Sequence, residues 1–350
     1  MGKISEMWNK VTGEVPPVPP PKPGRADGPS SRSMIYSSGA FVLGASDDQR
    51  RRIESFGISH VGKVREGNED HFVIASLQRS LEIRQTNLED RSVLDPLCGP
   101  KAYLYAVADG VGGQEGGRLA SGITIQTIVE YLFETVGSYH AVMPGQEHAF
   151  KDPLRSAVQR AHDKLHATFG LPNGGPATTL TIVLVVWPEA FVVHVGDSRA
   201  YHLRGDKLRR LTRDQTMGAY LVDEYAMTEQ QVEQQGYNNV LSSAVGAQEM
   251  KPAVSEMTLE PGDALVLCTD GLTKHVTEDR IAGVITKAEN AEAGCRKLVD
   301  LALEGGGRDN VTVVVANSLF QSSRLFRRTR TKRVKLSEWS CRPSMITSRP

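Results

Sequence analysis

The chain has 350 residues, 39% of them hydrophobic and 23% charged, with 41 basic and 41 acidic side chains; this apolar content supports a substantial core and excludes disorder throughout. Its cysteines, Cys98, Cys268, Cys295 and Cys341, are scattered without a C-x-x-C pair, which argues against a disulfide framework or a cysteine zinc site. The longest apolar run, Leu180–Trp187, falls far short of the ~18 residues of a membrane span, and no basic-then-apolar leader is apparent, so a cytoplasmic protein is expected.

Taken in chain order, residues 1–54 read as a disordered Pro/Gly/Ser-rich arm, with Val15-Pro-Pro-Val-Pro-Pro-Pro-Lys-Pro-Gly24 favouring an extended polyproline course that buries little. Residues 55–318 read as one folded domain. It opens with an acidic cluster, Arg65-Glu-Gly-Asn-Glu69-Asp70, directly before the apolar Phe72-Val-Ile74. Short β-branched and aromatic runs predict strands at Tyr103–Ala108, Thr181–Trp187, Phe191–Val195, Ala264–Cys268 and Val311–Ala316. The second and third, joined through Pro188-Glu-Ala190, predict an antiparallel hairpin. Helical spacing occurs at Leu119, Ile123, Ile128, Leu132 and Val136, at Leu154, Val158, Ala161 and Leu165, and at Cys295, Leu298, Val299 and Ala302. Between Asp214 and Ser243 a short helix is predicted with its cap at Thr228. Helices mixed with antiparallel strands indicate an α+β layered domain rather than a doubly wound parallel sheet. Residues 319–350 form a basic tail, expected to be disordered, that includes Arg324-Leu-Phe-Arg-Arg-Thr-Arg-Thr-Lys-Arg333. An acidic partner, nucleic acid or anionic lipid would suit its charge. The two basic termini offset an acidic centre, and such a centre permits a cation site without demonstrating one.

Within the domain, apolar strands run into aspartate beside turn-formers: Val107-Ala-Asp109-Gly110-Val-Gly-Gly113, Leu267-Cys-Thr-Asp270-Gly271, and Gly305-Gly-Gly-Arg-Asp309-Asn before a strand. Hard divalent cations need several oxygen ligands, and carboxylates at strand ends hold fixed positions while the turn leaves an ion accessible. Glycine beside them allows close backbone approach. A single Asp-Gly at a strand end is ordinarily just a turn, so spacing leaves both readings open.

The ordered set of these segments resembles the metal-dependent protein phosphatases of the type 2C class in their bacterial form. The resemblance runs over roughly residues 55–317, through Val64-Arg65-Glu-Gly-Asn-Glu69-Asp70, Val107–Gly113, Ala177-Thr-Thr-Leu180, Val195-Gly-Asp197-Ser-Arg199, Leu211-Thr-Arg-Asp214, Thr269-Asp270-Gly-Leu272 and Arg308-Asp-Asn310. It implies two antiparallel sheets packed as a β-sandwich flanked by α-helices, with metals in a cleft at one edge. It further implies hydrolysis of phosphoserine and phosphothreonine by in-line attack of water activated between two divalent cations, Mg2+ or Mn2+. On this resemblance Asp109 bridges both ions, the Gly110 carbonyl ligates one, and Asp270 and Asp309 complete the other. Glu69 and Asp70 hold water on the ions or sit close to them, Arg65 grips the phosphate, and Asn310 orients its neighbouring carboxylate. Thr178, Thr179, Ser198 and Arg199 are expected to support strands and turns, and His60, His71 and His194 to be structural or surface residues. The implied partners are phosphoprotein substrates and a cognate Ser/Thr kinase.

Several positions depart from the family pattern. Val111 stands where eukaryotic members carry a histidine, and Gln114 and Arg118 replace the usual histidine and glutamate of bacterial ones. Lys274 occupies the place of an aspartate that, with Asp197, holds a third ion in many members. An ammonium there repels a cation and would pair with Asp197, so the third site is expected to be weak or absent. The segment 214–243 matches the family's variable flap, which tunes substrate access. Two other functional readings stand beside the enzyme: a catalytically weak phosphoprotein-binding module, to which Val111, Arg118 and Lys274 lend support, and an adaptor acting through its arm and tail.

Overall fold

The structure, a computed structural model, describes residues 51–77, 102–136, 150–170, 175–224 and 227–320. The proline-rich stretch 15–24 and the basic segment 324–333 lie outside the described residues, as do the expectations attached to them.

Two five-stranded sheets dominate. The first is ordered β1 (Arg51–His60), β12 (Val311–Phe320), β11 (Ala264–Cys268), β8 (Arg199–Arg204) and β9 (Lys207–Arg210). The second is ordered β10 (Ala253–Thr258), β7 (Glu189–Val195), β6 (Leu180–Val186), β3 (Ala102–Ala108) and β2 (His71–Leu77). Every pairing is antiparallel. A short ladder joins β4 (Gly110–Val111) to β5 (Ala177–Thr178). The predicted hairpin is β6–β7, with Val186 opposite Glu189.

Alternation along the strands separates the core into layers. Leu104, Ala106 and Ala108 of β3, with Ile182 and Leu184 of β6, face helices α1 (Gln114–Val136) and α2 (Lys151–Phe169). Their neighbours Tyr105, Val107, Val183 and Val185 face the other sheet and meet Leu265, Leu267 and Val314. The far faces of β11 and β12, through Val266, Cys268, Val313 and Val315, pack on α6 (Glu278–Lys287) and α7 (Ala291–Glu304). The period of two thus gives the central strands β3, β6, β7, β11 and β12 two buried faces, and the result is helix, sheet, sheet, helix.

The helical stripes of α2 and α7 lie buried as their spacing predicts. In α1 the predicted Leu119 is instead 53% exposed, and the buried stripe runs through Gly117, Ser121, Thr124, Ile128 and Leu132. The first turn of α1 must accommodate the backbone around Glu69 and Gly110, which admits Gly117 and Ser121 but has no room for a leucine. Between β9 and β10, α3 (Met217–Asp223) is capped by Thr216, and α4 (Glu229–Gln235) by Thr228. The Thr228 cap is reciprocal, with Thr228 Oγ1 accepting from Gln231 N and Gln231 Oε1 from Thr228 N. The free cysteines Cys268 and Cys295 are buried. No helix among the described residues is long and apolar enough to cross a membrane.

Candidate functional site

Because neighbouring strands are antiparallel, the ends of β3, β7 and β11 and the starts of β2 and β12 lie at one edge of the sandwich. Asp109, Asp197 and Asp270 follow the three strand ends, while Asp70 and Asp309 precede the two starts. A cleft of about 940 Å³ opens there, lined by Arg65, Glu69, Asp109, Asp197, Asp270 and Asp309. Gly110 lines it as well, whereas Asp70 is only 5% exposed.

Two close backbone approaches set the aspartates in position. A Cβ on Gly110 would overlap the carbonyl of Gly117, and one on Gly271 the carbonyl of Asn310. The glycine after each aspartate therefore serves packing of the turn itself. Around Asp109, its N–H donates to Thr179 Oγ1 (3.0 Å), its carbonyl accepts from Thr178 Oγ1 (2.8 Å), and Thr179 Oγ1 meets Ser198 Oγ at 2.6 Å. Arg199 forks onto Asp214 at 3.1 and 2.6 Å. These four residues support the turns, as expected from sequence.

Asn310 works differently from the expectation. Its side-chain oxygen accepts from Glu69 N (2.8 Å), and its amide donates to the carbonyls of Val61 and Gly67 (both 2.9 Å). It pins the loop carrying Arg65 and Glu69, while only its backbone N–H touches the Asp309 carboxylate, at 3.0 Å. Asp70 exhibits a partnership that spacing does not reveal. Thr269 Oγ1, just past the end of β11, and Thr312 Oγ1 of β12 both donate to its Oδ2, at 2.9 and 2.7 Å, from positions about 200 residues or more away in sequence.

The electrostatics follow from crowding. Burial, then the charges of Asp70, Asp270, Asp197 and Asp309, push the Asp109 carboxyl well above its ordinary range. Burial likewise raises Asp70, chiefly, and Asp197 to about 7 each, with Asp270 adding to both. Asp270 and Glu69 are also raised by burial. Asp70 Oδ1 and Asp270 Oδ1 are buried without a hydrogen-bond partner. Such a set of unpartnered, mutually repelling carboxylate oxygens fits hard divalent cations.

Two cationic side chains stand among these carboxylates. Lys274 Nζ lies 2.5 Å from Asp270 and 3.5 Å from Asp309, and Arg65 Nε lies 2.9 Å from Asp309. Among the described residues no three histidine, cysteine, aspartate or glutamate side chains are placed together as a metal would need. Lys274 therefore pairs directly with Asp270 and Asp309 rather than with Asp197. The one-turn helix α5 (Asp270–Thr273) sets Lys274 at the i+4 position from Asp270; its charge still acts on Asp197 through space. Arg118 is exposed beside His71. His71 meets Ser121, and His194 is buried between Thr181 and the Arg213 carbonyl.

Comparison with known proteins agrees with this architecture. Residues 80–301 match the family model for protein phosphatase 2C. The chain is 34% identical over 218 residues to the serine/threonine protein phosphatase PstP of Mycobacterium tuberculosis, covering 62% of this chain and 40% of that protein. It thus spans well under half the length of that relative. It is 26% identical to protein phosphatase PhpP of Streptococcus pneumoniae, over 61% of this chain and 85% of PhpP. A solved PstP catalytic domain in complex with two manganese ions superposes with a TM-score of 0.58 at 28% identity, covering 76% of this chain and 98% of that one. With more than half its length matched by the family model, and with the sandwich and its edge of aspartates in place, the chain belongs to the protein phosphatase 2C family.

Proposed function

We propose that this protein is a metal-dependent serine/threonine phosphoprotein phosphatase. The observation that carries the reading is the cleft at the sandwich edge, where repelling carboxylates with unpartnered buried oxygens stand beside an exposed arginine. Asp109, the Gly110 carbonyl, Asp270 and Asp309 would hold two divalent cations, Mg2+ or Mn2+, with Glu69 and Asp70 acting directly or through water. When bound, the ions supply Lewis-acid activation of water and neutralise charge developing on a phosphoryl group. Arg65, 53% exposed, is released from Asp309 to fork onto two phosphate oxygens. Thr269 and Thr312 keep Asp70 oriented, and Asn310 keeps Glu69 and Arg65 at the cleft rim. Val111 carries no proton to donate to the leaving oxygen, so that proton comes from elsewhere in the cleft. The presence of two manganese ions in the PstP catalytic domain supports the metal assignment.

Hydrolysis of p-nitrophenyl phosphate and a phosphothreonine peptide tests the reading. Turnover is expected with Mn2+, and loss is expected with EDTA or in Asp109→Asn; metal-independent turnover or a fully active variant overturns it. The third ion is expected to be weak or absent because Lys274, paired with Asp270 and Asp309, carries a positive charge that acts on Asp197 through space. Lys274→Asp should then gain anomalous density beside Asp197 in manganese-soaked crystals, and no gain counts against the assignment. A cognate Ser/Thr kinase would supply the phosphorylated substrates, and the buried reduced cysteines suit a cytoplasmic setting.

A further inference from the structure

Large apolar side chains are exposed at six places among the described residues: Val64, Val111, Leu119, Phe133, Tyr220 and Val240. Three of them, Val111 (43% exposed), Tyr220 (54%) and Val240 (48%), line the same cleft as the aspartates. Exposed apolar residues scattered singly are ordinary, but their grouping in one concave site marks a binding surface. A phosphoryl group fills a small part of the roughly 940 Å³ cleft, so the remainder is free for residues that flank it.

The wall carrying Tyr220 and Val240 is a built structure. Met217 N donates to the Val240 carbonyl at 2.7 Å, and Ser242 N to that of Gln215 at 2.9 Å. The Gln215 side chain in turn donates to the Lys251 carbonyl at 2.9 Å. Thr216 caps α3, and Gly218 sits so close to Val232 and Asn238 that a Cβ there would overlap both. Tyr220 and Val240 are therefore held in place before a ligand arrives. On the site side Val111 follows Asp109-Gly110 directly and lines the same cleft.

We propose that this apolar rim is a specificity subsite that selects phosphorylated segments carrying a large apolar side chain beside the phosphoresidue. The inference rests on the phosphatase reading for the phosphate end of the cleft. The apolar rim supplies the rest: a flanking leucine or phenylalanine buries against Val111, Tyr220 and Val240, whereas a serine or aspartate leaves that surface wet.

Two peptides test this, each bearing a non-hydrolysable phosphonate analogue of phosphothreonine, one flanked by leucines and the other by serines. Their affinity for the full chain with Mn2+ is measured by fluorescence anisotropy. The leucine peptide is expected to bind about tenfold more tightly, and Tyr220→Ser or Val240→Ser should shrink that ratio towards one. Equal affinities in the wild-type protein, a comparison that needs no variant, overturn the proposal. Self-association abolished by Tyr220→Ser assigns the surface to a second copy of the chain and also overturns it. Wild-type turnover of p-nitrophenyl phosphate separates the two readings. Turnover without peptide discrimination removes the subsite alone, and discrimination without turnover removes the phosphatase reading while the subsite stands.

Discussion

Asp70 receives two threonine hydroxyls on one carboxylate oxygen and none on the other, a lopsided arrangement for a buried acid. Hydrogen bonds to Oδ2 favour the charged form, yet burial and the neighbouring aspartates outweigh them and hold the group near pH 7. The same crowding makes each charge at the site costly without a cation. Asp109→Asn removes one of them, so the metal-free variant should be more stable than the metal-free wild type at pH 8, by on the order of 1 kcal/mol, or about 2–4 °C in Tm. The gain in Tm on adding Mn2+ should be lost in the same variant; a variant stabilised by Mn2+ as much as the wild type would contradict its place in the centre. His194 titrates in the opposite sense. Burial lowers it to about 4 while it bridges Thr181 and the Arg213 carbonyl. Its folded pKa lies below the unfolded value, so protonation favours the unfolded chain, and stability is lost as pH falls from about 6.5 towards 4. The wild type's advantage over His194→Gln in urea unfolding should therefore narrow across that window, by up to about 3 kcal/mol. A gap independent of pH would show that His194 is already charged in the fold.

At the scale of elements, local signals and long-range contacts divide the labour. The reciprocal cap at Thr228 is written in four consecutive residues, Thr228 to Gln231, and forms as its pattern predicts. Thr228→Ala should cost about 1 kcal/mol, concentrated in α4. Amide exchange should accelerate there and not in β3 or β11, since α4 contributes one fully buried side chain, Val232, whereas the two strands are buried at every position but Tyr103. Uniform acceleration would mean that the flap and the sandwich open as one unit. Leu119 shows where local pattern fails. It has the right spacing for the buried stripe, but the first turn of α1 is committed to close contact with the Glu69 and Gly110 backbone. Packing of that turn rotates the buried face by about one position, and helix periodicity cannot register a constraint imposed by a loop 50 residues earlier.

For the whole molecule, the site exists because two sheets present strand ends at a common edge, bringing residues 65–70, 109, 197, 270 and 309 together. Raised carboxyls bind protons in the metal-free fold that they release in the unfolded chain. Their contribution to stability is thus full below about pH 4 and is lost as pH rises through about 7. On the proposed function, divalent cations at Asp70 and its neighbours would replace those protons, so the rise in Tm produced by Mn2+ over EDTA should be small at pH 5 and larger at pH 8. A metal effect of equal size at both would mean that these carboxylates are not where the ions bind.

The sequence by itself determined five of the strands and the β6–β7 hairpin, the two helical faces that remain buried along their length, the cap at Thr228 and the placing of aspartates beside turn-formers at strand ends. Each is a matter of local periodicity or of residue type at a turn. Tertiary structure decided what those aspartates meet: Asp70 held by Thr269 and Thr312, Asn310 turned onto the Glu69 loop, and Lys274 drawn to Asp270 and Asp309 instead of Asp197. These pairings join segments up to about 250 residues apart in the chain. They depend on strand register and on the rotation of a one-turn helix. Spacing along the chain places carboxylates beside strand ends, and packing in three dimensions specifies which of them gather at the edge and which cationic side chain each one faces.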